Sequence, residues 1–289
     1  MKLLMIINNN SGLKNSKAGL LDAIDVFCAN GYSVTTYITQ KQNDAYDYLM
    51  KNRINYEVIC VFGGDGTLNE VSNALMRKKN KAPIGYFPSG TMNDFGSNFN
   101  LGNDFRQIAE RICLNHVSYF DVGKCNDRYF NYVAAFGAMC NVPYSTDRKA
   151  KEKFGTLAYI FEGVNNLDTI KPINAKVTID NKTKNMKLLF GLIFSGGRVA
   201  GRQLVSKSRS KLDDGTFNIL LVDYVDSLFD LPDLFQILTE PNKHLHKYKA
   251  SELTIEFEGD VAWTLDGEEG EFDKLVNIKN FNKALSIRE

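Results

Sequence analysis

The sequence predicts two domains: an α/β N-terminal domain, a parallel sheet with flanking helices, followed by a β-sandwich C-terminal domain. Three observations carry this. Strand and helix signals alternate through about residue 115, as in a parallel sheet covered by helices. From about Val117 the chain turns to long stretches rich in β-branched and aromatic residues. Between Val58 and Val71 a buried-looking strand empties into glycines and then a helix, a junction suited to phosphate. At 289 residues the chain is also long for one core.

The elements follow in order. Met1 to Ile7 is an apolar run that stops at Asn8-Asn9-Asn10, so it reads as a first strand and not a leader peptide. Leu20, Ile24, Phe27 and Cys28 mark one helical face, and Tyr32 to Ile38 is a second strand. Ala45, Tyr48 and Leu49 suggest another helix; Tyr56 to Phe62 and Ile84 to Phe87 are further strands. A nucleotide is then expected at the carboxyl ends of these strands. In the second part strands are expected at Tyr119 to Lys124, Tyr129 to Phe136, Ala175 to Ile179, Lys187 to Phe194, Phe217 to Tyr224 and Leu253 to Phe257. Asp180-Asn181-Lys182-Thr183 is a hairpin turn, and helices are expected at about 149–165 and 231–238. The expected domains are 1–117 and 118–279, closely packed with the active cleft between them.

Composition excludes some classes. With 35 basic and 34 acidic side chains the net charge is +1, so no nucleic acid is held by bulk charge. No segment approaches the roughly 18 apolar residues of a membrane span, so a cytoplasmic protein is expected. The five cysteines lack paired spacing and read as buried free thiols.

Gly63, Gly64 and Gly66 permit close approach of a phosphate to the main chain. Leu68, Val71 and Leu75 follow at helical spacing, which places Thr67 in the first turn, where free N–H groups and the dipole face an anion. Asp65 repels a bare phosphate, so magnesium or water must mediate. Any strand-to-helix turn can carry glycine; glycine, acid and hydroxyl in this order point to a nucleotide. Asn8, Asn10, Ser11 and Gly12 offer amides, a hydroxyl and a flexible turn after the first strand. Gly90-Thr91 lies before a helix that Asn93 and Asp94 could cap. Leu212-Asp213-Asp214-Gly215-Thr216 reads as a turn into a strand. Asp266 and Glu268 are the candidates for proton transfer, although Asp266-Gly267 is also a turn signal after Val261 to Leu265. Arg198, Arg202, Lys207, Arg209 and Lys211 read mainly as a solvated face, or as a patch facing anionic lipid headgroups.

Gly63-Gly64-Asp65-Gly66-Thr67 resembles the nucleotide loop shared by diacylglycerol kinase-type lipid kinases, NAD kinases and phosphofructokinases. Leu68-Asn69-Glu70-Val71 resembles the lipid-kinase branch. Pro88 to Phe95, the Lys149 to Tyr159 segment and Leu265-Asp266-Gly267-Glu268 are similar to later motifs of the soluble bacterial diacylglycerol kinases. The resemblance implies ATP and Mg2+ as cofactors, with Asp65 and Asp94 helping to hold magnesium-ATP and Thr39 and Glu70 joining the nucleotide set. It places the base at Asp266 or Glu268, and a structural magnesium at Asp214 beside carbonyls near Lys211 and Thr216. It also implies that residues 280–289 return to the first domain. The family's proline after the first asparagine is missing at Asn9. The implied partner is a lipid substrate, most directly diacylglycerol, met by transient membrane contact; a homodimer is compatible. The rival readings are a kinase for NAD or a sugar phosphate, sharing only the glycine loop, and a lipid-binding protein without catalysis.

Overall fold

The computed structural model describes residues 1–9, 17–90, 93–99, 101–102, 104–140, 171–199, 202–206, 211–225, 238, 243–270 and 274–289. They divide into two compact units, Met1–Val122 with Lys283–Glu289, and Gly123–Asn282.

The first unit is built on parallel strands. β1 (Lys2–Asn8), β2 (Ser33–Thr39), β3 (Val58–Gly63) and β4 (Ile84–Pro88) alternate with α1 (Lys17–Ala29), α2 (Asp44–Lys51) and α3 (Asp65–Lys78), and α4 (Phe105–Cys113) follows. The sheet order is β4-β3-β1-β2. Leu3, Leu4, Met5 and Ile6 are all fully buried, as expected of a strand covered on both faces. One face packs on Ala23, Val26 and Phe27 of α1 and on Phe105, Ile108, Ala109 and Ile112 of α4. Phe62 and Phe87 stack there with ring centroids 3.9 Å apart. The Asp104 carboxylate accepts from the amides of Arg106 and Gln107 and so caps α4. The last residues of the chain join this sheet, with Ile287 beside Ile84 and Arg288 beside Gly85.

The second unit is antiparallel. Its strands are the end of β5 (Val117–Cys125), β6 (Arg128–Phe130), β7 (Val133–Gly137), β8 (Ile173–Ile179), β9 (Lys182–Phe194), the two short strands β10 (Arg198–Val199) and β11 (Arg202–Gln203), β12 (Phe217–Asp223), β13 (Leu245–Ala250), β14 (Glu252–Phe257), β15 (Trp263–Leu265), β16 (Glu268–Gly270) and the start of β17 (Leu275–Arg288). β7 and β12 both pair with the second half of β9, and β8 pairs with its first half. The inner faces enclose a core that includes Phe136, Val177, Ile193, Phe217, Leu221, Ile255, Trp263 and Ile278. The β8–β9 turn at Asp180 and Asn181 has φ of 49° and 60°, the left-handed pair of a two-residue hairpin.

Two expectations need adjusting. The helix expected after Gly90-Thr91 is a single 3-10 turn, Gly96–Asn98, whereas the helix at Phe105–Cys113 was not expected. The cysteines are free, yet only Cys60, Cys125 and Cys140 are buried, while Cys28 is exposed. The helices expected at about 149–165 and 231–238 lie, but for Leu238, outside the described residues.

Candidate active site

Register places the nucleotide candidates along one sheet edge. Asn8 ends β1 opposite Thr39 at the end of β2, and Gly63 ends β3 opposite Pro88 at the end of β4. Chain order alone brings these ends together, because parallel strands finish on the same side. Beyond them the two loops meet backbone to backbone. A Cβ added at Gly90 would lie 2.6 Å from the Gly64 Cα, and one at Gly63 would lie 2.6 Å from the Thr67 hydroxyl. Thr67 is buried, and Asn8 Nδ2 donates to its Oγ1 at 2.9 Å.

Gly64 is the N-cap of α3 and supplies no side-chain cap. The first turn of α3 thus follows a glycine loop without a side-chain cap, an arrangement that accepts a phosphate. Asp65 faces the second loop: its Oδ2 accepts from the Asp94 amide at 3.0 Å and its Oδ1 from the Phe95 amide at 3.2 Å. Its carboxylate thus fixes the turn that holds Asp94, which is buried. Asn93, at φ 51°, completes the loop by accepting from the Gly90 amide and donating to the Gly90 carbonyl. Glu70 serves α2, with its two oxygens accepting from the amides of Asn43 and Ala45 at 2.9 and 3.0 Å. Glu70 thereby ties the start of α2, just after Thr39, to α3.

In the second unit Asp266 and Gly267 form the two-residue turn between β15 and β16, with φ of 49° and 84°, and Leu265 pairs with Glu268. This is a left-handed turn that Asp-Gly adopts readily. The Asp266 side chain points inward and is 6% exposed. It accepts from the backbone amides of Asn131 at 2.6 Å, Tyr132 at 3.0 Å and Val133 at 3.0 Å, while its own amide donates to the Val133 carbonyl. Three N–H donors on a buried carboxylate make an anchor for an anion. Glu268, two residues on, starts β16 and is only partly buried.

Asp214 sits in the turn before β12. Its Oδ1 accepts from the Thr216 amide at 3.1 Å and hydroxyl at 2.6 Å; its Oδ2 accepts from the Lys211 amide at 3.3 Å and the Lys249 ammonium at 2.9 Å. Burial would raise its pKa, but the Thr216 hydroxyl, Lys249 and the Lys211 amide outweigh that and hold it below the usual value. Both oxygens of this ionised carboxylate are thus engaged by N–H and O–H donors, and the hard oxygen it offers could take magnesium only in place of the Lys249 ammonium.

Comparison with known proteins follows the same lines. Residues 2–125 match the model of the diacylglycerol kinase catalytic domain. A diacylglycerol kinase of Staphylococcus saprophyticus is 33% identical over 275 residues, covering 92% of this chain and 88% of that protein. One from Staphylococcus aureus is 33% identical over 293 residues, covering 98% and 90%. The chain belongs to the diacylglycerol kinase family. Its fold is that of a Bacillus anthracis crystal structure with a TM-score of 0.86 at 23% identity, covering 99% of this chain and 94% of that one. As a member of a kinase family it is an ATP-using enzyme of lipid metabolism.

Within this family member the structure gathers Asn8, Thr39, Gly63, Gly64, Asp65, Gly66, Thr67, Gly90, Asn93 and Asp94 in the first unit. Asn10, Ser11, Gly12 and Thr91 lie outside the described residues, as do Lys207, Arg209 and the Lys149 to Tyr159 motif. Asp266 with Glu268, and Lys211, Asp214 and Thr216, belong to the second unit. Sequence reasoning missed two participants. The amides of residues 131–133 act through the main chain, which leaves no side-chain signature. Lys249 lies on β13, where Lys249 pairs with Asn218 across from the Asp214 turn, and a lone lysine on a strand carries no motif.

Proposed function

We propose that this kinase transfers the γ-phosphate of magnesium-ATP to the hydroxyl of diacylglycerol, giving phosphatidic acid and ADP. The observation that carries the nucleotide half is the glycine-capped start of α3, where a helix N-terminus without a side-chain cap meets the Gly64–Gly90 crossing. The substrate half rests on relatives named diacylglycerol kinase. The α3 amides and Thr67 bind the phosphate chain, and Asp65 and Asp94 hold the loops in register. Magnesium, when bound with the nucleotide, neutralises charge on the β- and γ-phosphates.

Glu268 is the general base in this reading. Asp266 has three amide donors on its two oxygens and is held inward, which suits a positioning residue and leaves the proton transfer to the partly exposed neighbour. The lipid O–H gives its proton to the Glu268 carboxylate as its oxygen bonds to the γ-phosphorus; the bond from that phosphorus to the β,γ-bridging oxygen breaks, and ADP departs. Lys211, Asp214 and Thr216 would hold a structural magnesium that stiffens the turn before β12. The lipid is reached by transient surface contact in this reading; no helix among the described residues is long and apolar enough to cross a membrane. A homodimer is compatible with this reading and is read by analytical ultracentrifugation.

The test is transfer of labelled γ-phosphate from ATP to a panel of lipids in mixed micelles, with and without magnesium. Labelled phosphatidic acid supports the assignment. Label on another lipid replaces the substrate, and no label on any lipid rejects the lipid-kinase reaction.

A further inference from the structure

Strand alternation puts every second side chain of β8 and β9 toward the core of the second unit. In their pairing Ile179 stands opposite Lys182, Val177 opposite Lys184 and Ala175 opposite Met186, and paired residues share a face. Val177, Ile179 and Met186 belong to the core cluster, at 3%, 7% and 7% exposure. Lys182 and Lys184 therefore occupy core-facing positions, where period-two patterning calls for apolar residues. The outward face of the same hairpin is marked by Thr178 and Thr183, whose hydroxyls are 3.0 Å apart. Both lysines are nevertheless exposed, so the inner face is open at this end.

The opening is a cleft of about 330 Å³ floored by Val177, Ile179 and Met186, walled by Tyr248 and rimmed by Lys182 and Lys184. Among its described lining residues Asp180 is the one acid, set against Lys182 and Lys184. The volume lies at the small end of ligand pockets, roughly 300–1,000 Å³, which favours a single chain over a two-chain lipid. Lysine stems add apolar length while their ammonium groups reach the rim.

We propose that this open end of the second unit binds a fatty acid, with the chain on Val177, Ile179, Met186 and Tyr248 and the carboxylate between Lys182 and Lys184. Apolar floor and cationic rim together select a single-chain anionic amphiphile; a cationic one meets the lysines and a neutral one leaves them unpaired. The inference is independent of the kinase reading, since it uses none of the residues assigned to phosphate transfer.

The test is fluorescence titration of the full chain with dansyl-undecanoic acid, without nucleotide. Expected are one saturable site per chain, displacement by dodecanoate, and no displacement by dodecylammonium. The double variant Lys182→Glu/Lys184→Glu, at exposed positions, weakens binding by about tenfold or more while phosphate transfer in fatty-acid-free micelles stays unchanged. Should that variant unfold, Lys182→Gln/Lys184→Gln reads the same loss. Glu268→Gln leaves the titration unaltered, separating this cleft from the acceptor site. Absence of saturable binding, equal displacement by dodecylammonium, or binding indifferent to both lysine variants overturns the proposal. So does lysine-dependent retention on anionic vesicles without binding of the probe, which assigns the lysines to a membrane surface. A chain that binds dodecanoate but labels no lipid keeps this inference and rejects the kinase reading.

Discussion

Replacing Asp266 and Glu268 separately distinguishes an anchor from a base. Asp266→Asn preserves shape and tolerates the left-handed backbone at φ 49°, but it turns one acceptor oxygen into a donor. The best arrangement keeps the carbonyl oxygen on the amides of Tyr132 and Val133 and sets the new NH2 group against the Asn131 amide, which now donates at 2.6 Å. One hydrogen bond to a charged group is lost, worth about 1.5–3 kcal/mol, the other two weaken, and a buried N–H is left without an acceptor. The expected loss is about 3 kcal/mol, out of the ~5–15 kcal/mol typical of a folded domain. For a unit of this size that lowers Tm by roughly 6–12 °C. Glu268 is only partly buried, so Glu268→Gln should lower Tm by less than Asp266→Asn does, while kcat falls by about 10²–10⁴ through loss of the base. Scanning calorimetry and the labelled-phosphate assay read the two effects on the same preparations. The reasoning is refuted if Asp266→Asn leaves Tm unchanged, or if Glu268→Gln keeps full turnover.

Further outcomes follow from the same contacts. Gly90→Ala drives a methyl to within 2.6 Å of the Gly64 Cα and 2.9 Å of Asn93 Oδ1, so the loops must part; KM for ATP should rise about tenfold or more, with a stability loss of about 1–3 kcal/mol. Asp214 has a folded-state pKa below its unfolded value, so the stability it contributes is fully present above about pH 4 and is lost as pH falls through the folded value. An acid-unfolding curve of Asp214→Asn should accordingly show a shallower limb below pH ~4 than the unaltered chain; parallel curves would contradict this. Burial pushes the Cys125 and Cys140 thiols up to about 12, leaving a thiolate fraction near ~10⁻⁴ at pH 8. A disulfide reagent should therefore label exposed Cys28 rapidly, with Cys125 and Cys140 reacting only on unfolding, as peptide mapping would show.

Much of the first unit was legible because each element depends on near neighbours in the chain. The apolar runs Leu3 to Ile7 and Val58 to Phe62 are strands covered on both faces, and Gly63 to Thr67 converts strand to helix within five residues. Register then follows from parallel connection. The segment after Gly90 was misread because Asn93 and Asp94 look like cap residues, whereas Asn93 bridges Gly90 and the Asp94 amide binds Asp65. The helix Phe105–Cys113 could have been read from Asp104 and the spacing of Phe105, Ile108, Ala109 and Ile112, but nine residues give a weak periodic signal.

By itself the sequence determined the strand–loop–helix proposed to meet phosphate, the change from helix-covered to strand-rich architecture, and the tripeptide that carries the carboxylates. These are local matters of residue type and spacing. Only the tertiary structure showed that Asp266 is held by three main-chain amides, because those amides lie more than 130 residues earlier in the chain. Only it showed that Glu70 ties down α2 and that Lys249 reaches Asp214. Main-chain donors and cross-strand partners are selected by packing and register, and neither is written in any one stretch of sequence.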